Sequence, residues 1–169
     1  MGDYMKKTIF LSVSIDGFIA DKDGIPSFPD GAWEDWCSLV NETNTLIAGR
    51  SSQNQVVESG LDAALTAEDK IVLSSQDLDL ADSSWVSAKT PLEALEILES
   101  KGADEAIIGG GRTIVNAFIR EGLVDFIIID LQPVAFGSGT QAFGDFLGRL
   151  DLKLVETKSL NENAIRLKY

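Results

Sequence analysis

An α/β fold is predicted, with a mostly parallel sheet, helices on both faces and an antiparallel C-terminal edge. Short β-branched segments alternate with helix-spaced ones along most of the 169 residues. Four of the strand-like segments run directly into turns of glycine, serine or aspartate, the usual hand-over in sheets with crossover helices. The last two strand-like segments are separated only by an Asn-rich turn at residues 161–163, so they join the sheet as an antiparallel pair. The length suits one domain covering residues 1–169.

Residues 7–14 (KTIFLSVS) are β-branched and largely apolar, and read as the first strand. Asp16 and Gly17 end it. Residues 15–31 are rich in Gly, Pro and Asp and lack periodicity; so long a segment inside a compact domain points to a functional loop. Trp33, Trp36, Cys37 and Val40 then repeat at helical spacing to about residue 44. Residues 45–48 (TLIA) form a short strand that stops at Gly49, Arg50, Ser51 and Ser52. Residues 52–59 fit a short helix and 61–66 a further turn. A strand at 70–73 ends at Ser74 and Ser75, and 85–87 form another. Thr90 as N-cap, Pro91 at the first helical position and Gly102 as the stop frame a helix to about residue 101. Residues 105–108 lead into Gly109, Gly110 and Gly111, and 113–121 form a helix closed by Gly122. Residues 124–131 (VDFIIIDL) are nearly all apolar, which suits a strand covered on both faces. Pro133 and a turn at 137–139 follow, and 152–158 and 164–169 are the final strands.

Composition removes several function classes. Acidic residues number 27 against 14 basic ones, for a net charge of −13. Such a surface repels phosphate backbones and anionic lipids, so neither nucleic acid nor membrane is an expected partner. No segment approaches the ~20 apolar residues of a membrane span. The two lysines before the first apolar run do not make a secretion signal, because that run alternates and leads into Asp16 without a cleavage-type site; a cytoplasmic location is expected. There is no histidine, which excludes imidazole catalysis and His-based metal sites. Cys37 is the single cysteine and falls at a core position of a helical pattern, so no disulfide or thiolate metal cluster is expected. Chemistry must rest on carboxylates, hydroxyls, backbone groups or an organic cofactor.

Ligands of parallel sheets collect at the carboxyl ends of strands. The four loops at such ends hold Ser14, Asp16 and Gly17; Gly49, Arg50, Ser51 and Ser52; Ser74 and Ser75; and Gly109, Gly110, Gly111, Arg112 and Thr113. The triple glycine lets backbone amides approach an anion closely, with a helix N-terminus immediately behind. It lacks the Lys-Ser/Thr pair of a P-loop. A Rossmann reading finds Asp130 about twenty residues on, yet Ile114 stands where the third glycine belongs, and the first hundred residues stay unexplained.

The segments SVSIDGFIADKDG, LIAGRSS, IVLSS and IIGGGRTIVNAFIREGLVDFIIIDLQPVAFGSG, in that order, resemble the dihydrofolate-reductase-like superfamily. The closer likeness is to the reductase domain of the bifunctional riboflavin-biosynthesis deaminase-reductase, and it covers nearly the whole chain. The resemblance implies NADPH-dependent hydride transfer to a pteridine-like or ribosylaminopyrimidine-like small molecule. By it, Gly109, Gly110, Gly111, Arg112 and Thr113 would hold the pyrophosphate. Gly49, Arg50, Ser51, Ser52, Ser74 and Ser75 would flank the adenosine phosphate, and Ile19 and Ala20 would lie against the nicotinamide. Ser14 and Asp16 would border the substrate. The acidic residue that dihydrofolate reductases carry on the first helix falls here at Trp33, beside Glu34 and Asp35.

With no histidine, the proton that accompanies the hydride needs a carboxylic acid or a water, and Asp16 is the first candidate. A rival reading keeps the fold and nucleotide binding but makes the protein a sensor or accessory factor without turnover. The resembled family commonly forms homodimers. The aromatics Phe136, Phe143 and Phe146, beyond what one loop needs, fit that expectation.

Overall fold

The computed structural model of the chain describes residues 4–81, 83–144 and 148–169. Strands β1 (Lys6–Ser14), β3 (Thr45–Gly49), β4 (Asp69–Leu73), β5 (Trp85–Ala88), β6 (Glu105–Gly109), β7 (Phe126–Gln132), β9 (Glu156–Ser159) and β10 (Ile165–Lys168) form one sheet. Its order is β5-β4-β3-β6-β1-β7-β10-β9. Every pairing from β5 to β7 is parallel, and β10 runs antiparallel to both its neighbours. Helices α1 (Ala32–Thr43), α2 (Arg50–Glu58), α3 (Pro91–Ser100) and α4 (Arg112–Arg120) supply the crossovers, with a 3₁₀ turn at Leu61–Ala64.

Alternation along the strands divides the core. Phe10, Leu46, Val72, Ile107 and Ile128 face a cluster with Cys37 and Val40 of α1. Ile9, Leu11, Val13, Ile47, Ile71, Ile108 and Ile127 face the residues of α3 and α4. Both faces are thus buried, as parallel strands require. Cys37 lies in the first cluster, and burial, with Glu34 adding to it, pushes its thiol up to about 11. The thiol therefore stays protonated and packs as an apolar group. No helix among the described residues is long and apolar enough to cross a membrane.

Several boundaries differ from expectation, each for a structural reason. The segment at 15–31 holds a short strand, β2 (Phe18–Ala20), which pairs with β8 (Thr140–Gln141) far along the chain. The strand expected at 124–131 begins at Phe126, because Asp125 is engaged with Lys7: its amide donates to the Lys7 carbonyl at 2.8 Å, and its carboxylate accepts from the Lys7 amide at 2.9 Å. The strand expected at 152–158 is Glu156–Ser159, matched in length to its partner β10. Helix α3 keeps its expected start: the Glu93 amide donates to Thr90 Oγ1 at 3.1 Å, and the Lys89 amide donates to Glu93 Oε2 at 2.7 Å. Phe136 packs against Phe28 at 5.4 Å and Phe143 against the core, so both are used within the chain. Phe146 lies outside the described residues.

Asp130 is fully buried and paired with Arg166 in a forked contact, Nε to Oδ1 at 2.6 Å and Nη2 to Oδ2 at 2.7 Å. A second Arg166 bond reaches the Asp35 carbonyl of α1 at 3.3 Å, and the guanidinium lies 4.9 Å from the centre of the Phe10 ring. One side chain thus ties β10, β7 and α1 together. The position also removes Asp130 from any ribose-binding role of Rossmann type. Burial pushes the Asp130 carboxyl upward against the pull of Arg166. Asp130→Ala should lower unfolding free energy by about 3–5 kcal/mol, because it strands a buried guanidinium. Denaturant melts of Asp130→Ala, beside an Asp130→Leu/Arg166→Met double variant that recovers most of the loss, check this.

Candidate active site

Strands β4, β3, β6 and β1 are neighbours in the sheet and run in one direction. Their carboxyl ends therefore stand side by side along one edge. All four loops picked out in the sequence lie there.

The centre of this edge is the meeting of two helix N-termini. Arg50 and Ser51 are not loop residues but open α2, and Arg112 opens α4. The N-caps are Gly49 and Gly111; neither helix has a side-chain cap, and neither carries an acid in its first turn. Their leading amides are left without intrahelical partners. An arginine at a helix N-terminus opposes the helix dipole by about 0.3–1 kcal/mol. Gly110 locks the two ends together. It has φ +127, and a Cβ there would sit 2.7 Å from Ser52 Oγ and 3.5 Å from the Gly49 amide nitrogen. A Cβ on Gly111, by contrast, would meet none of the described residues within 4 Å, so among them the cradle is open in front of α4. Uncapped amides, two guanidinium groups and an open cradle fit a dinucleotide's phosphates.

Arg50 Nη1 donates to Gln76 Oε1, carrying a cation from the β3 end across to the loop after β4. Ser74 is buried and closes that loop, its Oγ accepting from the Gln76 amide at 3.1 Å. Ser51, Ser75 and Thr113 are exposed. Arg112 extends toward the segment after β8, where a Cβ on Gly144 would lie 3.9 Å from its guanidinium.

The loop after β1 is held by Asp16. Its Oδ1 accepts from Ser14 Oγ at 2.6 Å and from the Phe136 amide at 3.1 Å; its Oδ2 accepts from the Gly137 amide at 2.7 Å. The Ser14 bond, with the two amides adding to it, holds the Asp16 carboxyl below the ordinary aspartate value of 3.8. An ionised carboxylate so occupied is suited to accepting hydrogen bonds, not to donating a proton. Ser14 is itself buried and accepts from the Phe18 amide at 2.9 Å. The clamp positions β2, with Ile19 half-buried and Ala20 buried. Gly139, at φ +154, passes so close to β2 that a Cβ would stand 2.0 Å from the Ala20 carbonyl oxygen.

On the α1 side, Glu34 is exposed, while Asp35 lends its carbonyl to Arg166. Trp33 stacks on Trp36 at 5.3 Å and Trp36 on Phe10 at 6.0 Å, and Trp33 Nε1 is a buried donor without a partner. Gln132, opposite Ser14 at the end of β7, is likewise buried with an unpartnered Nε2. Sequence reasoning missed Gln132; its single signal there is a polar residue closing a strongly apolar strand.

The Asp16 clamp makes stability at acid pH specific. Its folded value is depressed, so its contribution is present above about pH 3.8 and is lost as pH falls through the lower folded value. Asp16→Asn should melt at a lower temperature than the parent at neutral pH, with the gap closing as pH falls below the ordinary aspartate value of 3.8. Thermal melts from pH 2 to 8 check this.

The RibD C-terminal domain family model matches residues 6–165. The Bacillus subtilis protein YyaP is 25% identical, over 94% of this chain and 91% of its own. Among solved structures, a putative riboflavin biosynthesis protein from Shewanella sp. PV-4 superposes with a TM-score of 0.77 at 23% identity, covering 98% of both chains. A Thermotoga maritima diaminohydroxyphosphoribosylaminopyrimidine deaminase/5-amino-6-(5-phosphoribosylamino)uracil reductase superposes at 0.72 with 14% identity, over 97% of this chain and 56% of that one. The chain thus spans little more than half of that bifunctional protein, and its match over nearly its full length makes it a member of the RibD C-terminal domain family.

Proposed function

We propose that the protein is an NADPH-dependent reductase of a pteridine-like or ribosylaminopyrimidine-like small molecule. The observation that carries this reading is the pair of adjoining, uncapped helix N-termini, each opened by an arginine. Family membership supports it, as does the solved bifunctional relative named as a uracil reductase.

Bound at this edge, NADPH would supply the hydride. The chain's own task is then positioning. Gly110, Gly111 and Arg112 would receive the pyrophosphate on backbone amides and a guanidinium. Gly49, Arg50, Ser51 and Ser52, with Ser74 and Ser75 beside them, would take the adenosine side. Ser14 and Asp16 hold the β2 segment, so Ile19 and Ala20 would form a wall against the nicotinamide. Asp16 stays ionised, and the proton for the substrate heteroatom comes from solvent water. Asp16 is in this reading a positioning residue.

Two variants test the cofactor reading without interference from folding. Gly111→Val should weaken NADPH at least ten-fold, about 1.4 kcal/mol, with an unchanged melting temperature, because its side chain enters open space. Arg50→Ala should cost NADPH about 1–3 kcal/mol and leave NADH nearly unaffected, as a charge-assisted contact to the 2′-phosphate is lost. Cofactor fluorescence titration reads both. Binding without oxidation of the cofactor by any pteridine or aminopyrimidine would favour the sensor reading.

A cytoplasmic homodimer belongs to the same proposal. Leu150, Leu152, Leu154 and Val155 are 43–58% exposed, and Leu150, Leu152 and Val155 wall a cleft with Ile119, Val124 and Phe126, an apolar strip suited to a second copy. Light scattering should show a dimer at micromolar concentration, and Leu152→Asp/Leu154→Asp should return a monomer.

A further inference from the structure

At the carboxyl end of β7, next to the β1 end that carries Ser14, lies a cleft of about 400 Å³. Its wall includes Asp30 from the segment before α1, Gln132 and Pro133 from the end of β7, and Asn161, Glu162 and Asn163 from the turn between β9 and β10. Gln132 is 2% exposed, and its Nε2 has no hydrogen-bond partner. A buried amide donor left unmade is costly, and Gln132 is one of the residues that wall a cleft large enough for a heterocycle. The charged residues of the wall are two carboxylates, Asp30 and Glu162, and no lysine or arginine lines it among the described residues. Arg166, opposite Asp130 two residues back along β7, is committed to that carboxylate.

We propose that this cleft is the substrate-selecting pocket and that it takes an unphosphorylated lactam-bearing heterocycle, with Gln132 Nε2 donating to the ring carbonyl. The assignment rests on the reductase reading for the identity of the reaction, but not for the chemistry of the pocket. A carbonyl supplies the acceptor that the buried amide lacks. The carboxylates of Asp30 and Glu162 can accept from exocyclic amino or ring N–H groups. A 5′-phosphate in the same cleft would face two carboxylates with no cation to offset them, a repulsion of the kind that excludes competing ligands. The pocket therefore separates unphosphorylated from phosphorylated forms of one heterocycle. In this it differs from the specificity named for the Thermotoga maritima relative, a phosphoribosylaminouracil reductase.

The test is calorimetric, with 5-amino-6-ribosylaminouracil, its 5′-phosphate and lumazine as probes, each with and without saturating NADPH. The unphosphorylated uracil or lumazine should bind, and the 5′-phosphate should bind at least ten-fold more weakly than its parent. Gln132→Leu keeps bulk and removes the donor; it should weaken the unphosphorylated probe roughly ten-fold, the cost of one hydrogen bond, and leave NADPH affinity unchanged. Glu162→Lys, at an exposed position, should shift preference toward the phosphate, and it keeps the test decisive if Gln132→Leu does not fold. A 5′-phosphate that binds as tightly as its parent, parent-like binding by Gln132→Leu, or no binding of any probe overturns the assignment. NADPH binding and oxidation are read separately. Probe binding that depends on Gln132 without NADPH oxidation would leave the pocket standing and remove the reductase.

Discussion

The structure depends most on the contact between Gly110 and Ser52. Strands β3 and β6 are neighbours, so the helices that follow them, α2 and α4, must begin side by side. A side chain at 110 would occupy the space of the Ser52 hydroxyl. Its absence allows both helix ends to converge, and with them two sets of leading amides that have no intrahelical partner. Each N-terminus alone is an ordinary feature of an α/β sheet. Together, with an arginine at the first position of each and no acid in either first turn, they bring the positive ends of two helix dipoles to one point of the edge.

A second dependence runs through Asp16. Its carboxylate joins the loop after β1 to the segment after β7 through the Phe136 and Gly137 amides. The β2–β8 pair lies just beyond, and the Gly139 backbone closes against Ala20. The wall beside the proposed nicotinamide is thus assembled from two segments about 120 residues apart. Asp16 thereby acts as a clamp, and the hydrogen bonds that fix the loop also stabilise its charged form.

The same facts explain what could be read in advance. Strand and helix order was legible because burial on both faces leaves continuous apolar runs in 105–108 and 124–131, and because Thr90, Pro91 and Gly102 mark helix ends locally. The four strand-end loops were legible because turn chemistry is local too. The β2–β8 pair was not: strands of three and two residues carry no period, and their pairing is set by distant backbone. Neither was the Asp130–Arg166 fork, whose partners lie 36 residues apart on strands that meet only after the sheet forms. Gln132 gave little sign, because a missing hydrogen bond has no sequence signature.

Charge distribution completes the account. A net charge of −13 disfavours an anionic dinucleotide at long range, whereas Arg50 and Arg112, two of only five arginines, stand at the edge where it would land. These effects act over different distances. Surface charges more than a Debye length away, ~8–10 Å at moderate salt, are largely screened, while contacts at a partly enclosed helix N-terminus are screened much less. Added salt should therefore remove the global repulsion before it weakens the local attraction. The acidic surface then acts chiefly on selectivity. Under the proposal, anions that cannot engage both helix ends would be turned away, and the cleft beside Gln132, lined by Asp30 and Glu162, would extend that exclusion to the substrate side. In the proposed reading, one edge of one sheet would offer an anion site and an anion-averse site next to each other, and a phosphorylated cofactor and an uncharged heterocycle would sort between them.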